Sequence, residues 1–321
     1  MNPRFSVIIP LYNKAPYVAK AINSVLTQTF ANYELIIVDD GSEDNSAEVA
    51  AQCIGKYDKC QLIKQVNAGV SMARNNGVDV SNGDYLCFLD ADDWWSPTFL
   101  EEMSKLIDAY PDAGVYGSNY TIVNEAKKRT RIARIGVEER FEKGYINYCQ
   151  VYAKTMYMPL WTGAVCVPRN IFKEMMGFQN GIKLGEDFLL WIRIALKYKV
   201  AFLNQPLAFY NQDVDTTNRA VYKLFMPSEH MLWNLEFLKE EESTNPDYKH
   251  LVDNLRINGL YQYYISDAYH NVALKELSKI NWTTQTRNVY KKYHRPIWIE
   301  RFRYRLSQMG ASVKTYIKSL L

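Results

Sequence analysis

Apolar runs alternate with helical patterns along the first third of the chain. Four runs predict strands, at residues 5–9, 34–38, 61–65 and 85–89, and the first two of them have the apolar, β-branched composition of buried strands. Apolar residues at helical spacing separate these runs, at residues 18–26, 43–56 and 71–80. This alternation predicts an α/β fold in which the four strands are parallel.

The alternation becomes less regular after Pro97, which fits the first turn of another helix. Strands are predicted at residues 114–119, 161–167 and 200–203, and helices at residues 171–176 and 186–198. The charged stretch 123–143 has no clean period and indicates a hairpin or a mobile insertion. From residue 222 the pattern is helical, so we expect an α/β domain over residues 1–220 and a helical region over 221–321.

The composition is that of an ordinary globular protein, with 48% hydrophobic and 23% charged residues. A net charge of +3 is too small to indicate a nucleic-acid partner by itself. The five cysteines form no C-x-x-C pair, which favours a reducing cytoplasm over a secreted, disulfide-bonded protein. No window reaches the roughly 18 apolar residues of a spanning helix, so we expect a cytoplasmic protein, soluble or bound at the inner face of the membrane.

A distinctive group of residues follows each of the four predicted strands. These residues are Pro10, Tyr12 and Asn13 after the first strand, Asp39 and Asp40 after the second, Asn67 and Gly69 after the third, and Asp90, Ala91, Asp92 and Asp93 after the fourth. In an open α/β sheet, ligands bind beyond the carboxyl ends of the strands. We therefore expect the four groups to share one crevice.

The aspartates after the fourth strand repel one another unless a cation or hydrogen bonds offset their charge. Mg²⁺ or Mn²⁺ would suit a D-x-D turn, because these ions take carboxylate and phosphate oxygens together. The alternative is a solvated loop that precedes the helix near Pro97. The strand-end position favours the metal.

Two further features suit a nucleotide. Asp39 or Asp40 could accept the imide hydrogen of uracil while Tyr12 stacks on the base. The alternative for the DDGS segment is a turn with a helix cap. Arg74 could contact a diphosphate or pair with one of the strand-end aspartates, and the sequence leaves both roles open.

The segments SVIIPLYN, ELIIVDDGS, NAGVSMARNNG and GDYLCFLDADD, in this order, resemble the nucleotide-binding half of the family 2 glycosyltransferases, which have the GT-A fold. The resemblance is close over about residues 4–120 and looser to about residue 212, through WTGAVCVPRNIF and GIKLGEDFLLWIRIA. It implies a nucleotide-sugar half over 1–120, an acceptor half over 121–220 and an unmatched helical C-terminal region.

The resemblance also implies roles for individual residues. Tyr12 and Asp40 would hold the uracil or other base with support from Asp39. Asp90 would lie near the ribose, Asp92 would bind the metal, and Arg74 would face the donor phosphates. The other residues that would line the nucleotide site are Pro10, Asn13, Asn67 and Ala91. The implied reaction is an inverting, metal-dependent transfer of a sugar from a nucleotide diphosphate donor, a UDP-sugar by preference. The acceptor would be a hydroxyl of a saccharide or of a lipid-linked saccharide in cell-surface polysaccharide synthesis.

In such enzymes an acid pair before a long helix supplies the base that deprotonates the acceptor. Here the pair is Glu186 and Asp187, and we assign the role chiefly to Asp187. Adjacent helical residues point about 100° apart, so only one of the two can face a given hydroxyl. Without the upstream motifs, two acids here would indicate only a helix N-terminus.

Acceptor contacts are harder to predict. Trp94, Trp95 and Trp161 suit the apolar face of a sugar ring, although core packing explains each of them equally well. Asn211 and Gln212 stand where relatives often have a histidine near the metal or phosphates. This departure weakens the case for a third metal ligand from the protein.

The C-terminal tail combines an apolar stripe with positive charge. The stripe consists of Trp298, Phe302, Leu306, Met309, Val313, Ile317 and Leu320. From Arg287 onward the chain has nine Lys or Arg residues and one acid, Glu300. Such a helix can lie on an anionic membrane, or it can pack on its own domain or on a second subunit of a homodimer.

Two other classes of protein compete with a glycosyltransferase. A non-catalytic sugar-nucleotide binding or scaffold protein would keep the fold and lose turnover, but the intact acids argue against it. A nucleotidyltransferase would need a Gly-rich, basic phosphate loop after the first strand, where this chain has PLYNK.

Overall fold

A mixed sheet of ten strands organises the first of two units in the computed structural model, which describes residues 3–55, 57–213 and 223–308. The strands are β1 Phe5–Leu11, β2 Tyr33–Asp39, β3 Cys60–Lys64, β4 Tyr85–Phe88, β5 Trp94–Trp95, β6 Ala113–Asn124, β7 Arg129–Ile132, β8 Lys143–Ile146, β9 Val165–Pro168 and β10 Lys199–Asn211. Their order is β3-β2-β1-β4-β9-β6-β10-β5, with β7 beside β6 and β8 beside β10.

The first four strands are parallel, as the sequence predicts. Val7 of β1 lies opposite Leu35 of β2 on one side and Cys87 of β4 on the other. The crossovers contain α1 Ala15–Leu26, α2 Ser46–Ile54 and α3 Val70–Asp79. Because β2 and β4 flank β1 on opposite sides, the winding reverses at β1, and this reversal opens a crevice beyond the strand ends. The predicted α/β class is confirmed.

The second half of the sheet is less regular than predicted. It is accompanied by α4 Phe99–Ala109, α5 Tyr148–Thr155, α6 Arg169–Glu174 and α7 Glu186–Lys197. The strand predicted at 161–167 begins only at Val165, because residues 162–164 form a 3-10 turn. β9 is antiparallel to both β4 and β6, so the series of parallel neighbours is interrupted after β4, and it resumes between β6 and β10.

In this half the structure defines a hairpin, extends one predicted strand and adds one strand that was not predicted. The charged stretch after residue 123 forms a hairpin in which β7 pairs with β6, Thr121 lying opposite Ile132. β10 continues past the predicted 200–203 to Asn211, because its second half pairs with β6 and with the short strand β5. The short strand β5, whose two tryptophans pair with Ala208 and Phe209, was not predicted from the sequence.

The first unit ends at Glu240 and the second begins at Glu241. The last helices are α8 Lys239–Thr244, α9 Pro246–Gly259, α10 Tyr261–Ile265, α11 His270–Leu277, α12 Arg287–His294 and α13 Ile297–Gln308. This confirms the predicted helical C-terminal region. The boundary predicted near residue 220 and the tail after residue 308 lie outside the described residues, and the division into functional halves stays a prediction. Within the described ranges, no helix is long and apolar enough to cross a membrane.

Candidate active site

The loops after β1 and β4 face each other where the sheet changes its winding direction. The ammonium Nζ of Lys14 lies 2.6 Å from Oδ2 of Asp92, and it joins the two loops. Both side chains are largely buried, with 27% and 18% of their surface exposed. Our sequence reasoning did not single out Lys14, although a lysine directly after Asn13 in a loop that faces three aspartates was a signal.

Asp40 holds the loop that follows β3. Its Oδ1 accepts hydrogen bonds from Gln65 Nε2 at 2.7 Å and from the backbone N–H of Ala68 at 2.8 Å, and its Oδ2 accepts one from Gly69 at 2.9 Å. Gly41 lies beside this loop with φ +73°, and a Cβ there would be 3.0 Å from the backbone N of Asn67. The close approach therefore requires glycine at position 41.

A hydrogen bond from the backbone also joins the loops after β1 and β2. Asn13 Oδ1 accepts a hydrogen bond from the backbone N–H of Glu43 at 2.8 Å, and Asp39 Oδ1 accepts one from Ser42 at 3.1 Å. Pro10 is paired within the sheet, opposite Val38. Among the residues predicted for the nucleotide site, Tyr12 is 43% exposed and Asn67 is also exposed. The structure therefore brings these residues together, with Asp40 fixing a loop and Tyr12 presenting its ring.

The acidic loop after β4 contains three aspartates in different surroundings. Asp93 is 2% exposed, and its Oδ1 accepts a hydrogen bond from the backbone N–H of Asn211 at 2.7 Å. Burial, and then the charges of Asp92 and Asp90, raise the pKa of Asp93 well above its ordinary value. Asp93 thus ties the loop to β10. Ala91 is buried, whereas Asp90 and Asp92 remain partly exposed.

A buried arginine connects the acidic loop to the start of α7. Nη2 of Arg74 lies 2.7 Å from Oδ1 of Asp90, and Nη1 lies 3.0 Å from Oε1 of Glu186. The Arg74 side chain is 4% exposed. Burial lowers the pKa of its guanidinium, but the two carboxylates more than offset this effect and raise the pKa above its ordinary value. The sequence left two roles open for Arg74, a contact with a diphosphate and a pairing with a strand-end aspartate. In the structure Arg74 makes the second of these contacts, with Asp90.

The two acids of α7 have different partners. Oδ2 of Asp187 accepts a hydrogen bond from the hydroxyl of Thr162 at 3.1 Å, and Oδ1 accepts one from the backbone N–H of Phe188. Burial raises the pKa of Asp187, against the lowering effect of Arg74. Burial, and then the charge of Asp187, raise the pKa of Glu186 to about 7. Glu186 can therefore exchange a proton near neutral pH, and Asp187 is a stronger base than an ordinary aspartate.

The three tryptophans predicted for the acceptor lie in different environments. Trp95 is 3% exposed, stacks on Phe99 with ring centroids 4.1 Å apart, and donates a hydrogen bond to the carbonyl of Gly163. It is a core residue, so it offers no face to a sugar. Trp94 stacks on Phe209, and the ammonium of Lys20 lies 3.2 Å from its ring centroid.

Trp161 directly precedes Thr162, whose hydroxyl donates a hydrogen bond to Asp187 of the acid pair. It is half-buried, and its ring centroid lies 4.8 Å from that of Tyr120 and 5.3 Å from that of Tyr210. Thr162 contacts Asp187 directly, so Trp161 lies one residue from a group bound to the predicted base. Acceptor roles for Trp94 and Trp161 stay predictions.

Asp90 and Asp92 provide the oxygen donors that a divalent cation would need. Each has one carboxylate oxygen paired, with Arg74 and Lys14 respectively, and within the described residues the second oxygen accepts no hydrogen bond. No group of three His, Cys, Asp or Glu side chains converges on one point in the described part of the chain. Two carboxylates fit a Mg²⁺ or Mn²⁺ ion that completes its shell with phosphate oxygens and water.

Solved structures share this architecture. S. aureus TarS in complex with UDP-GlcNAc superimposes with a TM-score of 0.58 at 17% identity, over 94% of this chain and 79% of that chain. The mannosyltransferase PcManGT from Pyrobaculum calidifontis, in complex with GDP-Man and Mn²⁺, gives 0.58 at 16% identity, over 90% and 78%. The predicted GT-A fold is confirmed.

Sequence comparisons agree with the fold. The glycosyltransferase GlyA of Streptococcus pneumoniae is 33% identical over 218 residues, which are 65% of this chain and 31% of that protein. The chain spans about a third of the length of the first curated relatives that it matches. The sequence model described as Glycosyl transferase family 2 matches residues 6–165, which include the crevice loops after β1 to β4. The chain belongs to glycosyl transferase family 2.

Proposed function

We propose that the protein transfers a sugar from a nucleoside diphosphate donor to a hydroxyl group, with inversion at the anomeric carbon. The observation that carries this proposal is the pair of contacts made by Arg74, with Asp90 at 2.7 Å and Glu186 at 3.0 Å. One buried cation thereby holds the acidic loop of the nucleotide half against the acid pair of the acceptor half. A direct displacement needs donor and base to be fixed together in this way.

Asp187 is the proposed general base. Its carboxylate is oriented by Thr162 and by the backbone N–H of Phe188, and burial raises its pKa, which makes it a stronger base. Because Glu186 is paired with Arg74, we assign it to positioning. The hydroxyl proton of the acceptor would pass to Asp187 as the acceptor oxygen bonds to the anomeric carbon and the nucleoside diphosphate leaves on the opposite side.

Asp92 and Asp90 are the proposed ligands of a Mg²⁺ or Mn²⁺ ion. When bound, such an ion would neutralise charge on the diphosphate leaving group. Lys14 and Arg74, which already pair with these aspartates, keep the loop in place when no donor is present. The Mn²⁺ in the PcManGT complex supports a divalent ion, and the chemistry of two carboxylates supports either metal.

The donor we propose is a UDP-sugar. UDP-GlcNAc in the TarS complex supports uracil, whereas GDP-Man in PcManGT shows that the same fold also serves guanine. Tyr12, which is predicted to stack on the base, and Asn67, which is predicted to line the nucleotide site, both have exposed side chains. The proposed acceptor is a saccharide or a lipid-linked saccharide of a cell-surface polysaccharide, reached at the inner face of the membrane.

The substitution Asp187→Asn tests the assignment of the base. It keeps the shape of the side chain but removes its basicity, so donor binding should persist while the turnover number falls roughly 100 to 10,000-fold. Donor affinity can be measured by calorimetry with UDP-sugars, and turnover by release of UDP. The matched control is Asp79→Asn, an exposed aspartate at the end of α3, which should leave both quantities unchanged.

Each competing function gives a different result. Full turnover in Asp187→Asn would refute the assignment of the base. Donor binding by the unaltered chain without transfer to any saccharide or lipid-linked acceptor would favour the non-catalytic binding protein. Release of pyrophosphate from a nucleoside triphosphate and a sugar phosphate would favour the nucleotidyltransferase.

A further inference from the structure

The last described helix, α13, presents two large aromatic side chains to solvent. Trp298 is 68% exposed and Phe302 is 44% exposed. Residues four apart on a helix lie on the same side, so the two rings form one patch. Large aromatic residues are usually buried on folding, and a contiguous exposed pair marks a contact surface.

The exposed charges of α13 itself are of one sign, and its half-buried Arg301 pairs with the exposed Asp267 at 2.6 Å. The one acidic residue of α13, Glu300, is 3% exposed and accepts hydrogen bonds from the hydroxyl of Tyr261 at 3.2 Å and from Arg295 at 3.3 Å. Because Glu300 points inward, the exposed charges of α13 are Arg303 and Arg305. Arg303 keeps a loose contact with Glu300 at 3.9 Å, and Arg305 has no ion pair within the described residues.

We propose that Trp298, Phe302 and Arg305, with Arg303 at their flank, form what we call the basic aromatic face and bind the surface of an anionic lipid membrane. Lys and Arg near such a surface are attracted by the lipid headgroups, and aromatic rings insert at the boundary between headgroups and acyl chains. Exposed basic residues on α12, Arg287 and Lys291, add to the positive charge of the same unit.

A second copy of the chain fits this face less well than a membrane does. Pairing of two identical basic aromatic faces would bring arginines against arginines, and their positive charges would repel one another. The acid of the same helix, Glu300, does not neutralise them across such an interface, because it is buried and paired with Arg295. The inference does not depend on sugar transfer, since it concerns a surface of the second unit.

Sedimentation of the full chain with lipid vesicles tests the proposal. The chain should sediment with vesicles of phosphatidylcholine and phosphatidylglycerol, and not with phosphatidylcholine alone, and added salt should weaken the binding. The double variant Trp298→Ser, Phe302→Ser should bind at least about tenfold more weakly. The double variant Arg303→Gln, Arg305→Gln should lose binding by a similar factor. The control is Tyr57→Ser, which removes an exposed aromatic ring, 55% exposed, from the first unit.

Circular dichroism and thermal unfolding of each variant show whether it remains folded. Failure of the unaltered chain to bind phosphatidylglycerol vesicles would overturn the proposal. Equal binding by the folded aromatic variant would also overturn it, because the face would then be irrelevant. Dimerisation of the unaltered chain in analytical ultracentrifugation, lost in the aromatic variant, would assign the face to a second copy instead.

Discussion

At the scale of single residues, the candidate site is a set of compensated buried charges. Lys14 pairs with Asp92, and Arg74 pairs with both Asp90 and Glu186. A charge that loses its partner destabilises the fold unless another ion replaces it, strongly where the charge is fully buried, as in Arg74, and by about 1 kcal/mol where both partners are partly exposed, as in Lys14 and Asp92. For Asp92 such a replacement is the divalent cation that we propose. Lys14 and the cation therefore compete for the same carboxylate.

Lys14→Met should raise the affinity of the donor-free protein for Mn²⁺. The ammonium that neutralises Asp92 is removed, and the carboxylate becomes free to bind the ion. An ion pair with both partners partly exposed contributes about 1 kcal/mol, so the dissociation constant should fall about fivefold. Titration calorimetry or the electron paramagnetic resonance signal of free Mn²⁺ would measure it.

The control for this prediction is Lys105→Met. It removes the same charge from the surface of α4, where Lys105 pairs with Glu101 and Glu102. Mn²⁺ affinity should not change in this variant. Equal affinities in the unaltered chain and in Lys14→Met would mean that Asp92 does not bind the ion or that Lys14 does not compete for it.

At the scale of an element, two effects act in opposite directions on the pKa values of the acids in the first turn of α7. The helix begins after Gly185, whose φ of +84° and whose approach to Met231 exclude a side chain. A helix N-terminus favours ionised acids, which stabilises Glu186 and Asp187 as anions. Burial opposes this effect and raises the pKa of both. The first turn of α7 thus holds two carboxyl groups whose pKa values are raised, that of Glu186 to about 7.

Glu186→Gln should change how stability depends on pH. The pKa of Glu186 is about 7 in the folded protein against an ordinary 4.5, so between these values the folded protein holds more protons than the unfolded chain. The free energy of unfolding contributed by this group therefore falls as pH rises through that interval and is level above it. Between pH 4.5 and pH 7 the free energy of unfolding of the unaltered chain should fall by about 3 kcal/mol relative to that of the variant. Urea unfolding at a series of pH values measures this difference.

Glu101→Gln provides a control of opposite sign. Hydrogen bonds from Lys105 and Thr29 lower the pKa of this exposed acid on α4, so its contribution to stability is lost as pH falls. A pH dependence in Glu186→Gln that equals that of the unaltered chain would contradict the raised pKa.

At the scale of the whole molecule, the crevice is built by cross-links between loops that are distant in sequence. Asn13 joins the loop after β2, Asp40 joins the loop after β3, and Lys14 joins the acidic loop after β4. The loops after all four parallel strands therefore form one connected rim. A ligand that contacts several of them should stabilise the entire first unit.

A nucleotide-sugar with its metal should raise the melting temperature of the full chain. Saturation at 100 times the dissociation constant stabilises the folded state by about 2.7 kcal/mol, which corresponds to about 5 °C. We expect the largest shift with a UDP-sugar and Mn²⁺, and smaller shifts with GDP- and dTDP-sugars, in scanning fluorimetry.

Metal dependence provides the control for this measurement. EDTA should reduce the shift, and Asp92→Asn should abolish its metal-dependent part while leaving the melting temperature without ligand close to that of the unaltered chain. An undiminished shift in EDTA would argue against a metal-assisted donor site. A larger shift with a GDP-sugar would overturn the choice of uracil.

The sequence alone determined the α/β order and the residues that end the first four strands. The apolar runs before Pro10 and before Asp90 are too short to be helices, the first being rich in β-branched residues and the second containing two aromatic ones, and each is followed by its polar group. Parallel strands share one edge, so the meeting of these groups followed from local pattern and topology. Boundaries in the second half failed, because the length of β10 depends on pairing with β5 and β6.

Only the tertiary structure decided which charges neutralise one another. The pattern left Arg74 free to face phosphate or carboxylate, and gave Trp94, Trp95 and Trp161 equal standing as acceptor residues. Contacts across 16 and 112 positions fix Arg74 between Asp90 and Glu186. Burial, which the packing of the sheet determines, assigns Trp95 to the core. Periodicity reports which face of an element is apolar, whereas a pKa or an ion pair depends on neighbours from distant parts of the chain.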